Sequence, residues 1–129
     1  MALGLNATVA NSILNALCRA TTYTGPAALW VKLHVGDPGA AGTGNPAGHT
    51  ARVQAVFGSA ASGGAISNTT ALAWTSVTGA EDYTHFSVWD ASTAGNFQFS
   101  GTMTGNAVLV GDTYTVPVGD LDVTLAVAA

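Results

Sequence analysis

The sequence predicts a mainly β protein, an antiparallel and jelly-roll-like β-sandwich preceded by one short amphipathic helix at the N terminus. Only one stretch of the chain has helical periodicity, whereas the remainder alternates between apolar and polar residues in short runs separated by glycines. Many short strands with glycine turns are typical of a sandwich or a barrel. A chain of 129 residues suits a single domain over 1–129, with the helix within 1–22 and the sandwich over 28–129.

The helix is predicted over Leu5–Cys18, with Asn6 as the N-cap and Arg19 at the C-terminal end of the helix dipole. Apolar residues at helical spacing form one stripe along a single face of the helix. Cys18 is the only cysteine, so it has no partner within the chain, and its place on an amphipathic helix predicts a buried, inert thiol. The stripe consists of Leu5, Val9, Ile13, Leu14 and Leu17.

The first predicted strand, Ala28–Val35, alternates strictly between its two faces. Its apolar face carries Leu29, Val31, Leu33 and Val35, and its other face carries Trp30, Lys32 and His34. A later strand repeats this pattern, with Phe86 and Val88 on one face and His85, Ser87 and Trp89 on the other. The predicted core therefore contains Leu29, Val31, Leu33, Phe86 and Val88.

The other strands are predicted from short runs between glycine-containing breaks. Gly111-Asp112 and Gly119-Asp120 have the sequence of two-residue hairpin connections, because glycine in the first place suits a type II′ turn. The predicted strands are Arg52–Phe57, Ala65–Asn68, Ala71–Thr75, Thr84–Trp89, Asn96–Thr102, Ala107–Val110, Thr113–Val118 and Leu121–Val127.

Charged side chains are scarce, at 8% of the chain against about 25% in an ordinary soluble domain. The three cations, Arg19, Lys32 and Arg52, are far apart in sequence, which argues against a nucleic-acid partner and against an anionic membrane surface. The N terminus lacks a signal-peptide pattern, and no apolar run approaches the roughly 20 residues of a membrane helix. A surface with so little charge suits a protein packed against copies of itself or against a larger assembly.

A long glycine- and proline-rich loop over Gly36–His49 is the first candidate functional segment. His34, Asp37 and His49 bracket it, so they form either a metal site or a set of hydrogen bonds that order the loop. We expect the second, with the loop in contact with a neighbouring protein. The candidate interface residues are His34, Asp37, Pro38, His49, Trp30 and Trp89.

Other possible sites have simpler interpretations. Asp112, Asp120 and Asp122 resemble calcium ligands but adjoin turns, where aspartate is favoured anyway. Glu81-Asp82 with Asp90 would form an acid pair, yet adjacent acids in a loop are usually solvated, and no G-x-S-x-G motif is present. We therefore expect no enzyme, metal or cofactor. The aromatic residues form either a sugar-stacking platform or, as we expect, core and subunit contacts: Trp30, Trp74, Trp89, Tyr23, Tyr83 and Tyr114.

Several motifs spread over nearly the whole chain carry a family resemblance. The most specific is Leu-His-Val-Gly-Asp-Pro-Gly at Leu33–Gly39. The others are Ala51–Phe57, Gly64–Thr69, Thr84–Ala91 and Gly119–Leu125. Together they resemble a family of small virion proteins of tailed bacteriophages that is common among phages of actinobacteria.

The resemblance implies a β-rich structural part of the virion with no catalytic residues. Because a compact, low-charge body suits a lattice, we expect a capsid decoration (cement) protein on the outer surface of the capsid. Its partners would be the major capsid protein and copies of itself, as a trimer at the three-fold positions of the lattice. The alternative is a minor tail or tail-fibre-associated protein that contacts other tail proteins and takes part in host adsorption.

Overall fold

The computed structural model describes residues 4–105 and 107–128, and it confirms a mainly β protein with antiparallel sheets and one short N-terminal helix. Every predicted strand is present in shortened form, and two strands of two residues each, β1 and β6, were not predicted. The elements are β1 (Gly4–Leu5), α1 (Ala7–Arg19), β2 (Leu29–His34), β3 (Val53–Ala55), β4 (Ala65–Ser67), β5 (Leu72–Trp74), β6 (Glu81–Asp82), β7 (His85–Trp89), β8 (Phe97–Thr102), β9 (Ala107–Val108), β10 (Tyr114–Val116) and β11 (Asp122–Thr124).

The main sheet has five strands in the order β1-β8-β7-β2-β3, with β7 and β2 near its centre. In the β2–β7 register, Val31 lies opposite Val88 and Leu33 lies opposite Phe86, so the apolar faces of the two strands coincide. Three two-stranded ladders complete the fold: β10-β5, β11-β4 and β6-β9. All of these pairs are antiparallel.

The core lies on the apolar face of the main sheet, where the smaller ladders cover it in a sandwich-like arrangement. Val31, Leu33 and Val88 are 0% exposed and Phe86 is 6% exposed, whereas Leu29 is partly buried and packs against them. The predicted core is therefore confirmed. The ladders and loops contribute Leu72, Trp74, Val77, Tyr83, Val108, Val116 and Leu121.

The predicted hairpins at the two Gly-Asp sequences are wrong. Each glycine is the third residue of a four-residue turn with positive φ, 89° at Gly111 and 84° at Gly119, as in a type II turn. The flanking strands do not pair with each other, because β9 pairs with β6, β10 with β5 and β11 with β4. The turns therefore carry the chain between ladders, and the pairing partners are distant in sequence.

The helix has the predicted N-cap but begins at Ala7, since Leu5 lies in strand β1 rather than in the helix, and it does not enter the core. The Asn6 side chain accepts a hydrogen bond from Thr8 N at 2.8 Å, which confirms the N-cap. None of the 13 residues of α1, all of which the structure describes, is buried. The expectation of a buried Cys18 is wrong because the thiol is exposed, and Val35 is exposed as well because β2 ends at His34.

Candidate interaction surfaces

The 36–49 loop packs over the polar face of the main sheet, and the His34 side chain is hydrogen-bonded to both the loop and strand β7. His34 Nδ1 lies 2.7 Å from the carbonyl oxygen of Gly44, and its Nε2 lies 2.7 Å from Ser87 Oγ. Because a carbonyl only accepts, Nδ1 carries the proton and the Ser87 hydroxyl donates to Nε2. The Trp89 indole N–H donates to the same Ser87 oxygen at 2.8 Å. Burial lowers the pKa of His34 from its ordinary value of 6.5, and the charge of Lys32 acts in the same direction.

The loop is also held by its own hydrogen bonds. Gly44 N donates to the Pro38 carbonyl at 2.7 Å, and the Asn45 side chain donates to the Asp37 carbonyl at 2.9 Å. The Asp37 carboxylate accepts from Gly39 N at 2.8 Å, which is the turn expected of an Asp-Pro-Gly sequence. The loop is therefore an ordered part of the fold, and it packs on the sheet.

The proposed ligand sets do not come together as metal centres. Both ring nitrogens of His34 are engaged in hydrogen bonds. Asp112 accepts from Leu109 N within its own turn, and Asp122 accepts from the Ser67 hydroxyl across the β11–β4 ladder. Within residues 4–105 and 107–128, no group of three or more histidine, cysteine, aspartate or glutamate residues is placed to hold a metal ion.

Two of the three cations of the chain, Lys32 and Arg52, lie on the polar face of the main sheet. The Arg52 guanidinium lies 4.4 Å from the centre of the Trp89 ring and donates to the carbonyls of Ala91 and Ala94, at 2.8 Å each. Burial and the charge of Arg52 lower the pKa of Lys32. Arg52 thus connects the strand that carries Trp89 to the loop after it.

Most of the aromatic residues considered as a sugar-stacking platform lie in the interior or pack on other rings. Trp74 and Tyr83 are buried, and Tyr114 packs between them at ring-centroid distances of 6.0 Å and 5.1 Å. Trp89 is 8% exposed and packs on Phe97 at 5.6 Å. These rings do not form an exposed platform for sugars.

The six predicted interface residues divide into two groups. His34, Pro38 and Trp89 are buried and have little or no exposed surface to offer a partner. Trp30, Asp37 and His49 are partly exposed. Sequence reasoning missed an exposed apolar area, because the helical pattern does not show which of its apolar residues stay in contact with water.

That area includes one side of α1. Leu14 and Leu17 are 56% and 80% exposed, whereas Val9 and Ile13 are half-buried and line an apolar groove between the helix and the sheets. The signal in the sequence is the width of the apolar arc, which is too great for a helix that packs on one side only. Other exposed apolar residues lie at turns and in the C-terminal segment: Leu109, Val110, Val118, Leu125 and Val127.

Scarce charge and an exposed apolar side on α1 are typical of a protein that packs against other proteins. The chain belongs to the family described as podophage GP4 fiber I protein gp80, whose model matches residues 4–124. The match supports the broad resemblance to virion proteins of tailed phages, and its description favours the fibre alternative over capsid decoration. No curated protein matches the chain. In the part of the chain that the structure describes, no helix is long and apolar enough to cross a membrane.

Proposed function

We propose that this protein is a structural component of the tail-fibre apparatus of a phage virion and acts through contacts with other proteins. The observation that carries the proposal is the fibre-family match, which spans nearly the whole chain. The scarcity of charge supports it, because such a surface is better suited to permanent burial in an assembly than to life as a dispersed monomer.

The one histidine–serine pair on the polar face of the main sheet supports a role without catalysis. His34 and Ser87 lie within hydrogen-bond distance, as in a nucleophile–base pair, but both are 0% exposed. The group on the other side of the imidazole is a backbone carbonyl rather than a carboxylate. A substrate has no access to this pair, and its hydrogen bonds hold a loop in place.

The partners that fit this role are other tail proteins and copies of the chain itself. A fibre component positions the adsorption machinery, so it needs a rigid body and durable contacts. The main sheet is packed on both faces, by the smaller ladders on one and by the 36–49 loop on the other, which makes the body rigid. The exposed apolar side of α1 is the candidate surface for durable contacts.

The test is the location and copy number of the protein in purified virions. Gold-labelled antibodies against the chain should mark fibres or tails, and heads separated from their tails should contain none of it. Hundreds of copies on heads that lack tails would overturn the proposal and support capsid decoration instead.

A further inference from the structure

The apolar arc of α1 is wide enough to pack on two sides at once, and the body of the protein covers only one of these sides. At 100° per residue, the apolar and small residues of Ala7–Cys18 span about 200° of the helix circumference, about twice the width of a stripe that packs on one side. Val9, Ile13 and Ala16 take the side nearer the body and are half-buried. The rest of the arc contains the exposed residues Ala7, Leu14, Leu17 and Cys18, with the half-buried Ala10 among them.

We propose that this second side of α1, which we call the outer seam, packs against the outer seam of a second copy of the chain. Four of its five members, Ala7, Ala10, Leu14 and Leu17, are spaced three, four and three residues apart, which is the a/d spacing of a helix–helix seam. Isolated helices of about 12–15 residues are marginal in water, so a 13-residue helix with no buried residue needs packing from outside.

The charge distribution favours a second copy over an unrelated protein. In a two-fold contact the same patch of each copy faces itself, so a seam that carried charge of one sign would face charge of the same sign. The segment Ala7–Cys18 contains no charged residue, although the chain as a whole carries a net charge of −4. Complementary charge is one means by which an unrelated partner is recognised, and the only charge that α1 offers for it is Arg19 at its end.

The area of the seam also shows where the contact must extend. A helix of 13 residues is about 20 Å long, so one half of its side surface offers roughly 300 Å², against about 800 Å² per partner in a standard interface. Exposed apolar side chains on the rim of the adjoining groove continue the surface: Leu5, Tyr23 and Leu125, at 38%, 39% and 62% exposed. The contact therefore combines the outer seam with this rim.

The test is the mass of the purified full chain in solution, measured by sedimentation over a range of concentrations. The wild type should form a multiple of 12.8 kDa that dissociates on dilution. The double variant Leu14→Gln/Leu17→Gln should raise the dissociation constant more than about 100-fold. The matched control, Leu109→Gln/Val110→Gln, removes apolar residues of similar exposure elsewhere and should leave the dissociation constant unchanged.

A second measurement uses the wild type alone and does not depend on how a variant folds. Cys18 belongs to the outer seam, so a maleimide should label it more slowly as the protein associates. A wild type that stays monomeric would overturn the inference, as would a Cys18 labelling rate that is the same in monomer and oligomer. The inference does not depend on where in the virion the protein lies, so its failure is distinct from failure of the fibre proposal.

Discussion

Strand β2 and helix α1 are both amphipathic, yet the fold encloses one and leaves the other uncovered. β2 lies between β7 and β3, and its residues Val31 and Leu33 are 0% exposed. α1 is joined to the main sheet at its start, where Asn6 N donates to the Gln98 carbonyl at 2.7 Å, and its Leu17 is 80% exposed. The difference shows that regular apolar spacing defines which side of an element avoids water, while its neighbours determine what covers that side.

The largest expected effect contrasts the two regions with the same substitution. Leu33→Ala should lower the free energy of unfolding by about 2–5 kcal/mol, because it opens a cavity in the core. Leu17→Ala should change it by less than about 0.5 kcal/mol in dilute protein, because that side chain is already in water. Urea unfolding at a concentration where the chain is monomeric measures both. Equal losses in the two variants would mean that α1 belongs to the cooperative core.

The next prediction tests whether the 36–49 loop is packed against the main sheet, as strand β2 is packed within it. Gly42 and Gly39 both have positive φ, 73° and 76°, but an added Cβ at Gly42 would lie 2.5 Å from the Phe97 ring, whereas Gly39 faces open space. Gly39→Ala should cost about 1–2 kcal/mol from backbone strain. Gly42→Ala should cost about 1–3 kcal/mol more, because the ring must move.

Thermal unfolding of the two glycine variants decides the point. If they are equally stable, the loop does not pack on Phe97, and the polar face of the main sheet is open to solvent.

The smallest expected effect is a pH dependence from the buried histidine. The folded-state pKa of His34 is below its ordinary value of 6.5, so below that pH the unfolded chain binds a proton that the folded chain does not. The free energy of unfolding should therefore be at its full value above pH 6.5 and fall as the pH drops below it. His34→Gln should remove this part of the dependence, and His49→Gln should keep it. A fall that is identical in all three proteins would assign the effect to other groups.

The strands and the core were predictable because alternation is a local signal. Leu33 and Phe86 both lie where the pattern puts them, although 53 residues separate them. The two-residue strands β1 and β6 carry too little pattern to detect, and the hairpin prediction at Gly119-Asp120 failed because β10 and β11 find their partners in β5 and β4.

The site was less predictable because burial of polar residues depends on tertiary structure. The pattern placed His34 on the polar face of its strand, but its burial requires the loop to fold back so that Gly44 meets Nδ1. The prediction of a buried Cys18 failed for the opposite reason, since an amphipathic pattern was taken to imply burial, but the core reaches neither Cys18 nor Leu14 and Leu17. The virion resemblance led to the right broad class, and the family match moved the preferred role from capsid to fibre.

Hydrogen exchange in intact virions, compared with dilute purified protein, tests the contrast between the two regions most directly. Amides of β2 and β7 should exchange equally slowly in both samples, because the main sheet is already covered within one chain. Amides of α1 should exchange fast in the dilute protein and become strongly protected in the virion. Fast exchange of α1 in both samples would contradict the account, since the helix would then remain without a partner in the assembled particle.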